Sequence, residues 1–342
     1  MDPHSIELPR RILMGNGVSR RMAVLCRELR IAGSPLVLVD AGTRKIAGDR
    51  IFQDLSKLGA KLEIVKEPTL AEVRRIARNA GRPGVVISVG GGSVIDVGKA
   101  VSRKKQADFI CVPTAPSHDG IVSGTASLSD GRKKVSVSGR MPLAIVADIR
   151  ILKAAPARMI ASGYADAVSN ITAIHDWKLA KRKGEYYSEY AAEVGILAAR
   201  KAMRSATLIR QGSERGIRNL MEALITSSIA MTIAGSSRPA SGAEHAISHV
   251  LDMQGSKALH GEQCGVASIV TACLQGQDWW KIRDALKKGG APTTAKELGI
   301  SRGKFLLAIV KAKRYRERYT ILNEKDVDLR KAEKACKDTG VC

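Results

Sequence analysis

The sequence predicts an α/β N-terminal domain, Rossmann-like with a mostly parallel sheet, over residues 1–153, and an all-α C-terminal domain over 154–342. Three observations carry this reading. Short apolar runs alternate with amphipathic helical segments through the first part of the chain. A glycine triplet joins one of those runs to a helix. After Pro156 strand signals nearly vanish, and long Ala-, Leu- and Ile-rich segments with basic faces take over. Short runs punctuated by turns and followed by helices are the pattern of a parallel sheet covered on both faces.

Each element has its own signal. Pro35–Asp40 (PLVLVD) is a short β-rich run ending in an acid, and Lys45–Leu58 follows with helical spacing. Lys61–Val65 reads as a second strand and Leu70–Asn79 as a second helix. Gly84–Val89 (GVVISV), nearly all apolar, is a third strand that runs into Gly90-Gly91-Gly92 and a helix from Ser93. Phe109–Pro113 is a fourth. Thr125–Ser138 alternates around Asp130-Gly131, a strong hairpin signal, and Leu143–Asp148 is a further strand. In the second half, Ala157–Ala180, Ser188–Gln211, Ile217–Ala234, Gly242–Leu251 and Gly265–Lys288 have the spacing of helices. The charged stretch Leu329–Cys342 is expected to fray.

Composition narrows the function classes. With 342 residues the prior is two domains. Hydrophobic residues at 44% and charged residues at 26% exclude wholesale disorder. The 56 Lys+Arg against 33 Asp+Glu give a net charge of +23, a field that attracts anions. The basic clusters Arg132-Lys133-Lys134, Lys178 to Lys183, and Lys311, Lys313, Arg314 and Arg316 read as a solvated surface, or one that steers a phosphorylated substrate. Three Phe and three Trp leave little surface for stacking bases, so specific nucleic-acid binding is not expected. No run approaches the ~18 apolar residues of a membrane span, and the first fifteen residues lack the apolar core of a signal peptide. Six cysteines without a CxxC pair exclude a zinc ribbon or thioredoxin motif, and their scatter suits a reducing compartment. A cytoplasmic location follows as the expectation.

Three stretches could carry chemistry. In Ser88 to Lys99 (SVGGGSVIDVGK) bare backbone sits between a buried strand and a helix N-terminus. Orphan amides and the helix dipole both favour an anion there. The spacing is neither GxGxxG nor GxxxxGK[ST], so it argues for a nucleotide site of another design; a tight turn capped by Ser93 is the competing reading. The loop Pro113 to Gly120 (PTAPSHDG), with Ser123 and Thr125 beyond, hangs hydroxyls, one imidazole and one carboxylate after a strand, where open α/β sheets bind ligands. Third, His245 and His249 share a helix face at i, i+4, and His260 follows. Together with Asp166 they make one carboxylate and two or three imidazoles, a donor set suited to Zn²⁺ with an open position. Glu244 precedes the first histidine, so the peptidase motif HExxH is absent.

GGGSVID, PTAPSHDGIVSGTAS, SGYADAVSN, GAEHAISH, LHGEQ and the segment Arg318-Tyr319-Thr320-Ile321-Leu322 resemble, in order and spacing, the archaeal sn-glycerol-1-phosphate dehydrogenases. That family belongs with glycerol dehydrogenase, 3-dehydroquinate synthase and the iron-containing alcohol dehydrogenases. The resemblance runs roughly from Pro9 to Asn323. It implies an active site in the cleft between two domains. It implies cofactor contacts from Gly90, Gly91, Gly92, Ser93, Val94, Thr114, Ser117 and Ser123, with NAD and NADP both open. Asp40, Arg44 and Lys45 bear on that choice. It implies zinc held by Asp166, His245 and His260, and substrate contacts from Asp119, Asp166 and His249. His118, Lys133 and Lys134 are weaker candidates for the substrate phosphate. The implied reaction is reduction of dihydroxyacetone phosphate at C2 to sn-glycerol 1-phosphate, a precursor of membrane phospholipids, by a homo-oligomer. Glycerol dehydrogenase, or another polyol dehydrogenase of the superfamily, is the alternative.

Overall fold

The computed structural model describes residues 6–131, 134–315 and 317–342, so Arg132, Lys133 and Arg316 lie outside the described residues. The chain forms two compact units. One comprises residues up to Pro156 without 117–119; the other comprises Ala157–Cys342 together with Ser117–Asp119.

The first unit is built on six parallel strands. They are β1 (Arg11–Gly15), β2 (Pro35–Val39), β3 (Lys61–Ile64), β4 (Val85–Gly90), β5 (Asp108–Pro113) and, after a hairpin of β6 (Thr125–Ser129) and β7 (Lys134–Ser138), β8 (Ala144–Asp148). The order across the sheet is β1-β8-β5-β4-β2-β3. β2, β4 and β8 are buried along their whole length, which is why they read as unbroken Val/Ile/Leu runs. From β2 the chain steps outward to β3, then returns to the other side of β2 as β4 and continues to β5. The crevice beyond the C-terminal ends of β2 and β4 is therefore the topological switch point, and Gly90 ends β4 there. Val37, Val39, Ile87, Val89, Ile110 and Val146 form one core with Met22, Leu25 and Ile51 from the flanking helices.

β6 and β7 pair antiparallel, as Asp130-Gly131 implied. A buried cation holds this hairpin to the helix Gly92–Lys105. Lys99 is fully buried, and its Nζ donates to the Gly120 carbonyl at 2.5 Å and the Thr125 carbonyl at 3.0 Å. Asp96, one turn earlier, accepts from the Ser127 N–H.

The helical unit contains helices Ala157–Lys181, Glu189–Arg204, Glu214–Ala234, Ala243–Met253, His260–Leu274, Trp279–Lys288, Arg302–Ala312 and Leu329–Thr339. Trp177, Ile174, Ala191 and Ile233 pack together, and the Trp177 Nε1–H donates to the Tyr186 carbonyl.

Four expectations need correction. Gly265–Lys288 is two helices, because Gly276 adopts φ +72 and turns the chain. Lys45–Leu58 is interrupted by a π-helical turn, Arg44–Gly48. The Leu329–Cys342 segment does not fray: Ala332, Ala335 and Cys336 are buried, and Asp328 caps the helix at Lys331 N. Ser93 is not a cap either. Gly91 occupies the N-cap position, the helix begins at Gly92, and no side chain caps it.

Candidate active site

The glycine turn presents the features an anion needs. Gly91 has φ −79, and a Cβ built on it meets nothing within 4 Å, so a side chain there would stand in open space. Gly90 is glycine for a different reason: a Cβ there would lie 2.6 Å from Val94 Cβ. Val94 is buried against Gly90, leaving its backbone as the group it can offer a ligand. The Thr114 N–H donates to the Gly90 carbonyl at 3.1 Å, which brings Thr114 to the same turn. Ser123 stands elsewhere in this unit, 3.4 Å from Lys99 Nζ. Asp40 caps its own helical turn, accepting from Gly42 and Thr43 N–H, and Arg44 pairs with Asp49.

In the helical unit, Asp166, His245, His260 and Cys264 each offer a donor atom, and these atoms all lie within 4.8 Å of one another. Close helix packing makes this possible. Gly261 sits where a Cβ would be 2.0 Å from the Ser162 carbonyl oxygen, and a Cβ on Gly265 would be 2.8 Å from Ala165 Cβ. Two glycines one turn apart thus let helix His260–Leu274 approach helix Ala157–Lys181. Glu262 reaches back to the Leu259 N–H and accepts both arms of Arg158, fixing the helix start at His260.

Proton accounting gives the polarity of the cluster. The Gln263 amide donates to Asp252 Oδ1, Ser256 Oγ and the Ala258 carbonyl, so its oxygen faces Ser248. The Ser248 hydroxyl donates to that oxygen at 2.6 Å and is left to accept from His260 Nδ1–H at 3.0 Å. Glu244 Oε1 likewise takes the proton of His245 Nδ1 at 3.0 Å. Both imidazoles therefore turn an Nε2 lone pair toward Asp166 Oδ1, at 3.7 and 4.0 Å. That oxygen is buried with no hydrogen-bond partner among the described residues. Lone pairs converging on an unsatisfied carboxylate are repulsive unless a cation lies among them, so the residues fit a metal. Glu244, Ser248 and Gln263 supply the outer hydrogen bonds that fix the tautomers. Sequence reading missed those roles; only Glu244, next to a histidine, offered a hint.

The other predicted residues surround this cluster. Asp119 is buried: its N–H donates to Asp166 Oδ2 at 2.9 Å, and its Oδ2 accepts from the Ser227 hydroxyl at 2.6 Å. Asn170 Nδ2 donates to Ser227 Oγ in turn. Burial and the neighbouring Asp166 charge push the Asp119 carboxyl up, and burial does the same to Asp166. A cation would reverse both shifts. His249 lies outside the four-donor group, its ring 5.8 Å from that of His260 and stacked on Tyr315 at 5.1 Å. The Ser117 carbonyl accepts from Ser162 Oγ at 3.2 Å. The Arg318–Leu322 segment buttresses the site rather than entering it. Asp176 accepts from Ile321 N–H and from Ala243 N–H, the first residue of the His245 helix, and Arg318 holds Ser237 and Ser241 just before it.

The chain is also similar to known proteins. Residues 13–156 match the iron-containing alcohol dehydrogenase family. The chain is 45% identical to a glycerol-1-phosphate dehydrogenase (NAD(P)+) of Thermococcus kodakarensis, over 99% of this chain and 98% of that one. It is 46% identical to the enzyme of the same name from Pyrococcus horikoshii, over 99% of both, and 45% identical to that of Methanothermobacter thermautotrophicus, over the whole of both.

The chain belongs to the glycerol-1-phosphate dehydrogenase family.

Among solved structures, glycerol dehydrogenase from Schizosaccharomyces pombe matches with a TM-score of 0.82 at 21% identity, covering 99% of this chain and 91% of that one. A probable glycerol dehydrogenase from Sinorhizobium meliloti matches at 0.81 and 20%, over 98% of both. At that identity the match speaks for the fold the family shares.

Proposed function

We propose that this protein reduces dihydroxyacetone phosphate to sn-glycerol 1-phosphate with NADH or NADPH, at a zinc site held by Asp166, His245 and His260, to supply the glycerol backbone of membrane phospholipids. The observation that carries the proposal is the unsatisfied, buried Asp166 Oδ1 facing two imidazole Nε2 atoms, in a chain of this family. When bound, zinc supplies Lewis-acid polarisation of a carbonyl and the nicotinamide supplies hydride.

The protein's own residues do the rest. The amides at Gly91 and Gly92 hold the cofactor pyrophosphate at a helix N-terminus, with Ser93 and Val94 in the same first turn. Thr114 lines that turn; Ser117 and Ser123 add hydroxyls to the cofactor set. Asp119, clamped by Ser227 and by its own N–H to Asp166, orients a substrate hydroxyl. His249, one helical turn from His245, does the same, and relays the proton that the reduced oxygen takes up. The net charge of +23 steers the phosphorylated substrate. No helix among the described residues is long and apolar enough to cross a membrane, and the cysteines form no disulfides. A cytoplasmic location is part of this proposal.

Glycerol dehydrogenase is the second reading, favoured by the shared fold. Absorbance at the NADH band separates the two. Rapid NAD(P)H oxidation with dihydroxyacetone phosphate and little with dihydroxyacetone supports the proposal. The opposite preference would install the alternative.

A further inference from the structure

Cys264 lies one helical turn after His260, so both side chains leave the same face of one helix. It is fully buried. A buried cysteine is usually a small apolar filler that needs no polar company. Here Sγ lies 3.6 Å from His260 Nε2, the atom that faces Asp166. It also lies within 4.8 Å of the Asp166 and His245 donor atoms. With metal–sulfur bonds of about 2.3 Å and metal–nitrogen bonds of about 2.0–2.1 Å, a tetrahedral site has a sulfur-to-nitrogen edge of about 3.5 Å. The observed separation fits that edge. The second observation is Asp166 Oδ1, buried and without a hydrogen-bond partner among the described residues, 3.7 and 4.0 Å from the two Nε2 atoms.

We propose that Cys264 is a fourth protein ligand of the metal in the resting enzyme. This rests on the metal site proposed above. Its S–H proton leaves to the buffer as the sulfur–metal bond forms. A thiolate beside two imidazoles and one carboxylate makes a soft, closed set that selects Zn²⁺ or Co²⁺ over Mg²⁺.

Cobalt-reconstituted full-length protein tests this by its absorption spectrum. Wild type is expected to show visible d–d bands together with a strong near-ultraviolet thiolate-to-cobalt charge-transfer band. Cys264→Ala and Cys264→Ser are expected to keep the d–d bands and lose the charge-transfer band. Stoichiometric cobalt with d–d bands but no charge-transfer band in wild type overturns the role of Cys264 and leaves the Asp166–His245–His260 site standing. A charge-transfer band that survives in Cys264→Ala places the sulfur elsewhere and also overturns it. Failure of the protein to take up cobalt at all overturns both. Zinc-edge X-ray absorption on the wild type needs no variant: one sulfur neighbour at about 2.3 Å is expected, and a shell of nitrogen and oxygen alone contradicts the proposal.

Discussion

At the scale of single residues, the site is a matter of which atoms own protons. The two candidate zinc histidines have their Nδ1 protons taken by Glu244 and Ser248, and that accounting turns both Nε2 atoms toward Asp166. Asp119 and His249 have a different task. If they orient substrate hydroxyls, Asp119→Asn and His249→Gln lower kcat and kcat/KM together, by about 1–3 kcal/mol in transition-state stabilisation. Zinc content stays at the wild-type level, since neither is among the four donors. Unchanged kinetics would remove them from the site, and loss of zinc in His249→Gln would show that it is a ligand. Gly91→Val makes a separate test. Because φ is −79 and the space beyond Gly91 is open, the variant keeps its melting temperature and its zinc. Calorimetry is expected to show NAD(P)H affinity reduced at least tenfold; unchanged binding would make the turn purely structural. At this scale the sequence displayed the donors but not their supports. Spacing singles out the histidines at 245, 249 and 260, and the family resemblance is what selects His245 and His260 and adds Asp166. Ser248 and Gln263 are ordinary helix residues until the hydrogen bonds are traced.

At the scale of elements, two joints carry the argument. Gly261→Ala places a methyl against the Ser162 backbone oxygen, and backbone cannot yield as a side chain can. Overpacking of this kind costs about 1–3 kcal/mol. It drives the His260 helix off the Asp166 helix, so zinc affinity falls with melting temperature; a variant with both intact contradicts the close-packing account. The second joint is Asp148 at the end of β8, 2% exposed. Burial alone would raise its carboxyl, but the Ser19 hydroxyl and the N–H groups of Gly17, Ser19 and Arg150 outweigh it and hold the group below its ordinary value. A depressed carboxyl stabilises the fold above its unfolded value of about 3.9, and the contribution is lost as pH falls through the folded value. The stability gap between wild type and Asp148→Asn, measured by denaturant unfolding, is therefore expected to be full near neutrality and to close below about pH 4. A gap independent of pH would refute the linkage. Element types were legible where burial imposed a pattern, as in Gly84–Val89 and Leu70–Asn79. They were illegible where it did not. β1 is a half-exposed edge strand, RILMG, with no alternation to read. The joint at Gly276 hides inside an otherwise helical run, where an isolated glycine is tolerated.

At the scale of the molecule, each unit has a hydrophobic core of its own, so the metal is expected to serve chemistry more than folding. In this it differs from a zinc finger, which has no core without its ion. The two-unit organisation was readable because strand and helix textures segregate along the chain. What the sequence could not display was that Ser117–Asp119, early in the chain, belongs with the helices. That placement follows from hydrogen bonds to Asp166, Ser162 and Ser227, which have no local signature. The central claim, that the Asp166–His245–His260 cluster is a catalytic metal site, is tested most directly by zinc titration of chelator-stripped protein. NADPH oxidation with dihydroxyacetone phosphate and far-ultraviolet circular dichroism are followed on the same sample. Stripping is expected to abolish turnover while leaving the helical spectrum nearly intact, with activity returning in proportion to zinc and levelling at one ion per chain. His260→Ala is expected to stay inactive at every zinc concentration. Full turnover by the stripped protein, or by metal-free His260→Ala, would contradict the account.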